Sequence, residues 1–101
     1  MPDRITCDQA STSYKLVLVI KDQSLPDGVS AVGLKNNADA VFKVATQTYT
    51  SEFEPNILSF VEVPATDSSK EVKLSLTDKT AVLLNSQIQD LGEKPVFTCR
   101  F

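Results

Sequence analysis

Hydrophobic and polar residues alternate with a period of two along most of this chain, in short runs separated by turn-forming residues. Successive side chains on a strand point to opposite faces, so such runs predict strands with one face toward a core. Arg4 to Asp8 opens the series, and Tyr14 to Lys21 is its strongest member. Tyr14, Leu16, Leu18 and Ile20 share one face there, while Val17 and Val19 sit between Lys15 and Lys21 on the other. A strand apolar on both faces belongs in a central or covered position. Pro26-Asp27-Gly28 then predicts a turn, because proline presets φ and glycine tolerates positive φ. Val29 to Lys35 predicts a weaker strand that ends at Asn36-Asn37.

Ala40 to Thr50 sets Ala40, Phe42, Val44 and Thr46 against Val41, Lys43 and Ala45, then continues as a Thr-rich polar stretch that suits an edge or exposed strand. Pro55-Asn56 predicts a break, Ile57 to Val63 another strand, and Pro64 to Ser69 a polar turn. Glu71 to Thr77 alternates most cleanly, with Val72, Leu74 and Leu76 inward. The stretch from Thr80 to Leu91 fits two readings. As a strand, Thr80 to Asn85 pairs with the preceding segment through Asp78-Lys79. As a helix, Ala81, Leu84, Ile88 and Leu91 share a face, with Asp78 as N-cap and Gly92 as terminator. The strand is preferred because Ala81-Val82-Leu83-Leu84 is short and its surroundings are β; a helical turn near Ser86 to Leu91 agrees with either. Val96 to Phe101 closes the chain with Phe97, Cys99 and Phe101 on one face. The expectation is an all-β fold, one domain over residues 1–101, built as an antiparallel sandwich or small barrel of seven to eight strands.

The two cysteines sharpen that picture. Ile5-Thr6-Cys7 and Phe97-Thr98-Cys99 repeat one apolar-polar-Cys alternation near opposite ends of the chain. Each sulfur therefore faces the same side as its apolar neighbour, and a bond between them places the first and last strands side by side or face to face. Their spacing matches no zinc or redox motif, so a structural disulfide is expected rather than thiol chemistry. That bond in turn predicts an oxidising compartment, secreted or periplasmic. Met1-Pro2-Asp3-Arg4 carries no apolar signal region, and the longest apolar run, Leu16 to Ile20, is far too short to span a membrane.

Composition removes several function classes. The 101 residues include no histidine, so the commonest general base, the usual Ser and Cys triads and most zinc and copper sites are missing. Ten basic and thirteen acidic residues give a net charge of -3, with the lysines scattered along the chain. No basic patch is visible in the sequence, and neither nucleic acid nor an anionic membrane is an expected partner. With no Trp, two Tyr and five Phe, there is little material for an aromatic-lined cleft.

The remaining constellations are thin. Ser68-Ser69-Lys70 could form a Ser-Lys pair, yet adjacency alone gives neither desolvation nor an oxyanion hole. Glu52, Glu54 and Glu62 could supply a glycosidase pair, or could simply be charges protecting a β edge. Asp22 and Asp27, or Asn36, Asn37 and Asp39, offer oxygen ligands without an EF-hand pattern. No catalytic residue, cofactor or metal is assigned, and the chain is not expected to be an enzyme. Recognition by a surface is left. Thr46 to Asn56 mixes hydroxyls, aromatics and acids at a strand end and loop, and its Tyr49, Ser51, Glu52, Phe53, Glu54 and Asn56 form the candidate binding site. Tyr49 and Phe53 share strand parity, so filling the rim of the core is the competing reading. Ser24 to Gly28 is a second, weaker candidate loop.

The cysteine in the first strand and the Phe-Thr-Cys in the last resemble those of small bacterial periplasmic β-barrels such as lysozyme inhibitors of the membrane-bound C-type class. The resemblance covers only the two ends and implies a small exported barrel. No inhibitory loop motif matches, so no inhibitory residue is carried over. Two functions are expected to compete: an exported protein-binding module, including an inhibitor, acting through exposed loops, and a structural subunit of a pilus, virion or envelope assembly that pairs edge strands such as Ala40 to Thr50 with a neighbouring copy.

Overall fold

The computed structural model describes residues 3–20 and 29–101. The turn expected at Pro26-Asp27-Gly28, the second candidate loop and the Asp22 and Asp27 ligands lie outside these residues. Eight strands follow one another: β1 Arg4–Asp8, β2 Tyr14–Val19, β3 Ser30–Asn36, β4 Asp39–Ser51, β5 Glu54–Glu62, β6 Glu71–Ser75, β7 Thr80–Leu84 and β8 Val96–Arg100. Each pairs antiparallel with the next, and β8 returns to β1, so the sheet closes into an up-and-down barrel. Closure puts Cys7 directly opposite Cys99, and the two are joined by a disulfide. The matched alternation at the two ends is thus the closing seam of the barrel.

An eight-stranded barrel is just wide enough for side chains to fill its interior. Phe60, Phe97, Ile5, Leu16, Leu34 and Leu74 do so here, all fully buried. The expected inward faces of β2, β6 and β8 are the ones found. At Thr80 the strand reading holds, since β7 pairs with β6 from Glu71↔Leu84 to Ser75↔Thr80. Lys79 takes φ 56° in the four-residue connection before it. A single 3-10 turn, Gln89–Leu91, is the only helical element among the described residues.

Two expectations are corrected in β4 and β5. Ala40 to Thr50 is not an edge. β4 bends around the barrel and serves two neighbours in succession: Asp39 to Thr46 pair with β3, and Thr46 to Ser51 with β5. Its threonines look like edge residues, but Thr46 points into the barrel, and the Thr48 hydroxyl donates to Ser30 Oγ at 2.7 Å. Nor does Pro55-Asn56 break the chain, for β5 begins at Glu54 and runs through both. The register jumps from Thr50↔Leu58 to Ser51↔Glu54, leaving Pro55, Asn56 and Ile57 without partners on β4. A proline lacks an N–H, and at an unpaired bulge none is needed.

Thr46 is 1% exposed, and its Oγ1 has no hydrogen-bond partner among the described residues. An unpaired buried hydroxyl costs about 1–3 kcal/mol in desolvation. Thr46→Val keeps the branched shape and removes that group. It is expected to raise stability by about 1 kcal/mol in urea denaturation; a destabilised variant would mean that the hydroxyl is bonded.

Candidate functional site

The connection between β4 and β5 is the most exposed part of the described chain. Residues 49–56 form an unbroken run of eight exposed positions, longer than any other among the described residues. The strands carry it outward: β4 has 13 residues and β5 has 9, against 5 to 7 for the others. At its tip Phe53 is 87% exposed, and its amide donates to Ser51 Oγ at 3.2 Å, which tightens the turn. Glu52 and Glu54 flank the ring in sequence, both exposed. Tyr49 is 49% exposed, so the rim-of-core reading fails for both aromatics.

The structure brings part of the predicted set together. Tyr49, Ser51 and Glu54 line a hollow of ≈170 Å³ on the outer wall, with Ile57, Ser59 and Lys73. Ser59 and Lys73 arrive by register, because Tyr49 lies opposite Ser59 and Ser59 opposite Lys73. Asn56 is exposed on the bulge, and its carbonyl accepts the Leu76 amide at 2.8 Å, tying the base of the hairpin to the β6–β7 connection. Glu52 and Phe53 form the tip rather than the hollow.

Neither the Ser-Lys pair nor a Glu54–Glu62 pair has a catalytic geometry. Ser69 is buried, and its Oγ accepts the Thr66 amide at 2.7 Å, while Lys70 Nζ sits 5.2 Å above the Phe42 ring; each group of the Ser-Lys pair is occupied with structure. Glu62 accepts the Lys70 amide at the far end of β5. Eight residues of strand between Glu54 and Glu62 span roughly 25 Å, whereas glycosidase carboxylates stand about 5–9.5 Å apart. Among the described residues no group of three or more Cys, Asp or Glu could hold a metal ion, and Asn36, Asn37 and Asp39 form a tight turn in which Asn37 takes φ 58°.

Two features escaped sequence reasoning. One is a hollow of ≈570 Å³ in the β7–β8 connection, lined by residues such as Asn85, Gln87, Ile88 and Lys94. Asn85 and Gln87 both take positive φ, a conformation no local sequence signal announced. The other is a basic wall. Arg4, Lys15, Lys35 and Lys43 are scattered along the chain, yet all four occupy outward positions on β1 to β4, beside Val17, Val19, Ala31 and Gly33. Lys15 lies directly opposite Lys35. Lateral register creates this cluster, and register is not written in any one segment.

Comparison of the chain with protein-family models, with characterised proteins and with solved structures finds no match. The class that the fold defines is a small up-and-down barrel whose first and last strands are stapled, with one hairpin reaching beyond the wall.

Proposed function

We propose that this protein is a non-enzymatic protein-binding module of an oxidising compartment, secreted or periplasmic, and that the β4–β5 hairpin is its docking element. The observation that carries the reading is Phe53: a phenylalanine that is 87% exposed contributes nothing to its own core. Aromatic anchors that fill a partner's pocket dominate binding energy at interfaces. A hairpin rooted in a closed, disulfide-linked barrel presents such an anchor with little ordering left to do, which lowers the entropic penalty of association. Tyr49, Ser51, Glu54 and Asn56 supply hydroxyl, carboxylate and amide groups around it, a mixture suited to adaptable polar contacts. The disulfide supports the compartment, since such bonds persist where thiols are not kept reduced.

The test is partner capture from the native secretome or envelope with the wild-type chain and with Phe53→Ala in parallel. The partner retained by the wild type is expected to bind the variant about thirtyfold or more weakly, the loss of a hot-spot anchor. Equal retention by both proteins removes the hairpin from the interface.

A further inference from the structure

The basic wall has a cost that the fold does not require. Like charges directly opposite each other in an antiparallel ladder destabilise it, and Lys15 and Lys35 are so placed on a chain whose net charge is -3. Arg4 and Lys43 extend the same face, and Asp8, the acid beside Lys15, is already bound to Arg100 at 3.0 Å. Between the cations the wall is apolar and small-grained. Val17, Val19, Ala31 and Gly33, with Arg4, Lys35 and Lys43, line a hollow of ≈320 Å³. An apolar floor inside a charged rim is the anatomy of a protein interface.

The complementary shape is on the same chain: Phe53 at the hairpin tip, flanked by Glu52 and Glu54. We propose that the tip of one copy docks in the basic hollow of a second copy, Phe53 on the apolar floor and the two glutamates toward Arg4 and Lys35, which stand at opposite corners of that floor. The contact joins two different surfaces, so it is heterologous and propagates head to tail unless the rotation closes a ring. It uses side chains, not unpaired strands, and so is compatible with a closed barrel. This inference rests on the hairpin as docking element and names its partner.

Sedimentation velocity of the full chain from micromolar to millimolar concentration tests it. The wild type is expected to associate with rising concentration, and less so at high salt, because exposed charges are screened. Glu52→Lys/Glu54→Lys and, separately, Arg4→Glu/Lys35→Glu are each expected to weaken association about thirtyfold or more while the circular dichroism spectrum stays unchanged. Mixing the two variants is expected to restore association, since each tip then meets a face of opposite charge. A wild type that stays monomeric throughout, association that survives both reversals, or a mixture that stays monomeric overturns the proposal. So does a monomer that binds phosphatidylserine vesicles and loses them on Arg4→Glu/Lys35→Glu, which assigns the wall to a lipid surface. Loss of a foreign partner on Phe53→Ala in a strictly monomeric protein retires self-docking and leaves the hairpin reading standing.

Discussion

Phe97→Ala is expected to destabilise the protein by about 3–5 kcal/mol, the range for truncating a buried phenylalanine that leaves a cavity. Phe97 is 0% exposed and lies directly opposite Ala81 on β7. Large and small residues face each other at that pair, so truncation sets two alanines side by side, and the neighbours cannot fill the gap without moving a closed sheet. Interiors are packed as densely as organic crystals, and a lost ring forfeits its dispersion contacts as well as its transfer energy. Domains of this size have about 5–15 kcal/mol in all. At about 4–8 °C per kcal/mol, the thermal midpoint should fall by more than 10 °C. Val96→Ala is the internal control, one residue away and 53% exposed; surface changes of that kind stay within about 0.5 kcal/mol. Urea melts of both variants check the contrast, and similar losses at the two positions would show that the interior is not packed as described.

The parts of this fold legible in the sequence were those set by local alternation. The inward residues of β2, β6 and β8 announce themselves because the pleat sorts side chains with a period of two. The Cys7–Cys99 bond was legible for the same reason, as two matching alternations at the ends. What depended on sheet curvature was not. Thr46 and Thr48 read as edge residues, yet lie where β4 turns from β3 to β5, and Pro55 read as a break because its bulge is defined only by the register of the opposite strand. Composition makes the hairpin a binding candidate, but the shared parity of Tyr49 and Phe53 favours the rim of the core, and only the excess length of β4 and β5 shows that they lie outside it. Ser59 and Lys73 joined Tyr49 by cross-strand pairing alone, as Lys15 met Lys35. One-dimensional spacing holds no record of such neighbours, and net charge hides a basic wall on an acidic protein.

Removing the bond between β1 and β8 is expected to lower stability by about 2–5 kcal/mol, as measured for native disulfides in small secreted domains. The double variant Cys7→Ala/Cys99→Ala is the appropriate form, because both positions are buried and a free thiolate is avoided. The bond joins residues 92 apart in sequence, at the middle pair of the closing seam. In the chain-entropy account a loop of that length restricts the unfolded ensemble by about 4–5 kcal/mol. The β1–β8 pairing is short, three residue pairs from Thr6↔Arg100 to Asp8↔Thr98, against five between β1 and β2. Without the cross-link, this seam must form from the two ends of the chain, and long-range pairing closes late and slowly. Two consequences separate this from a simple packing loss. The folding rate should fall more than the unfolding rate rises, because the cross-link acts on the unfolded ensemble. Hydrogen exchange should then show the amides of β1 and β8 opening before those of β3 and β4, which share seven register pairs. Uniform exchange across the barrel in the variant would mean that the seam is held by its core contacts, Ile5 and Phe97 among them, with the disulfide a minor partner.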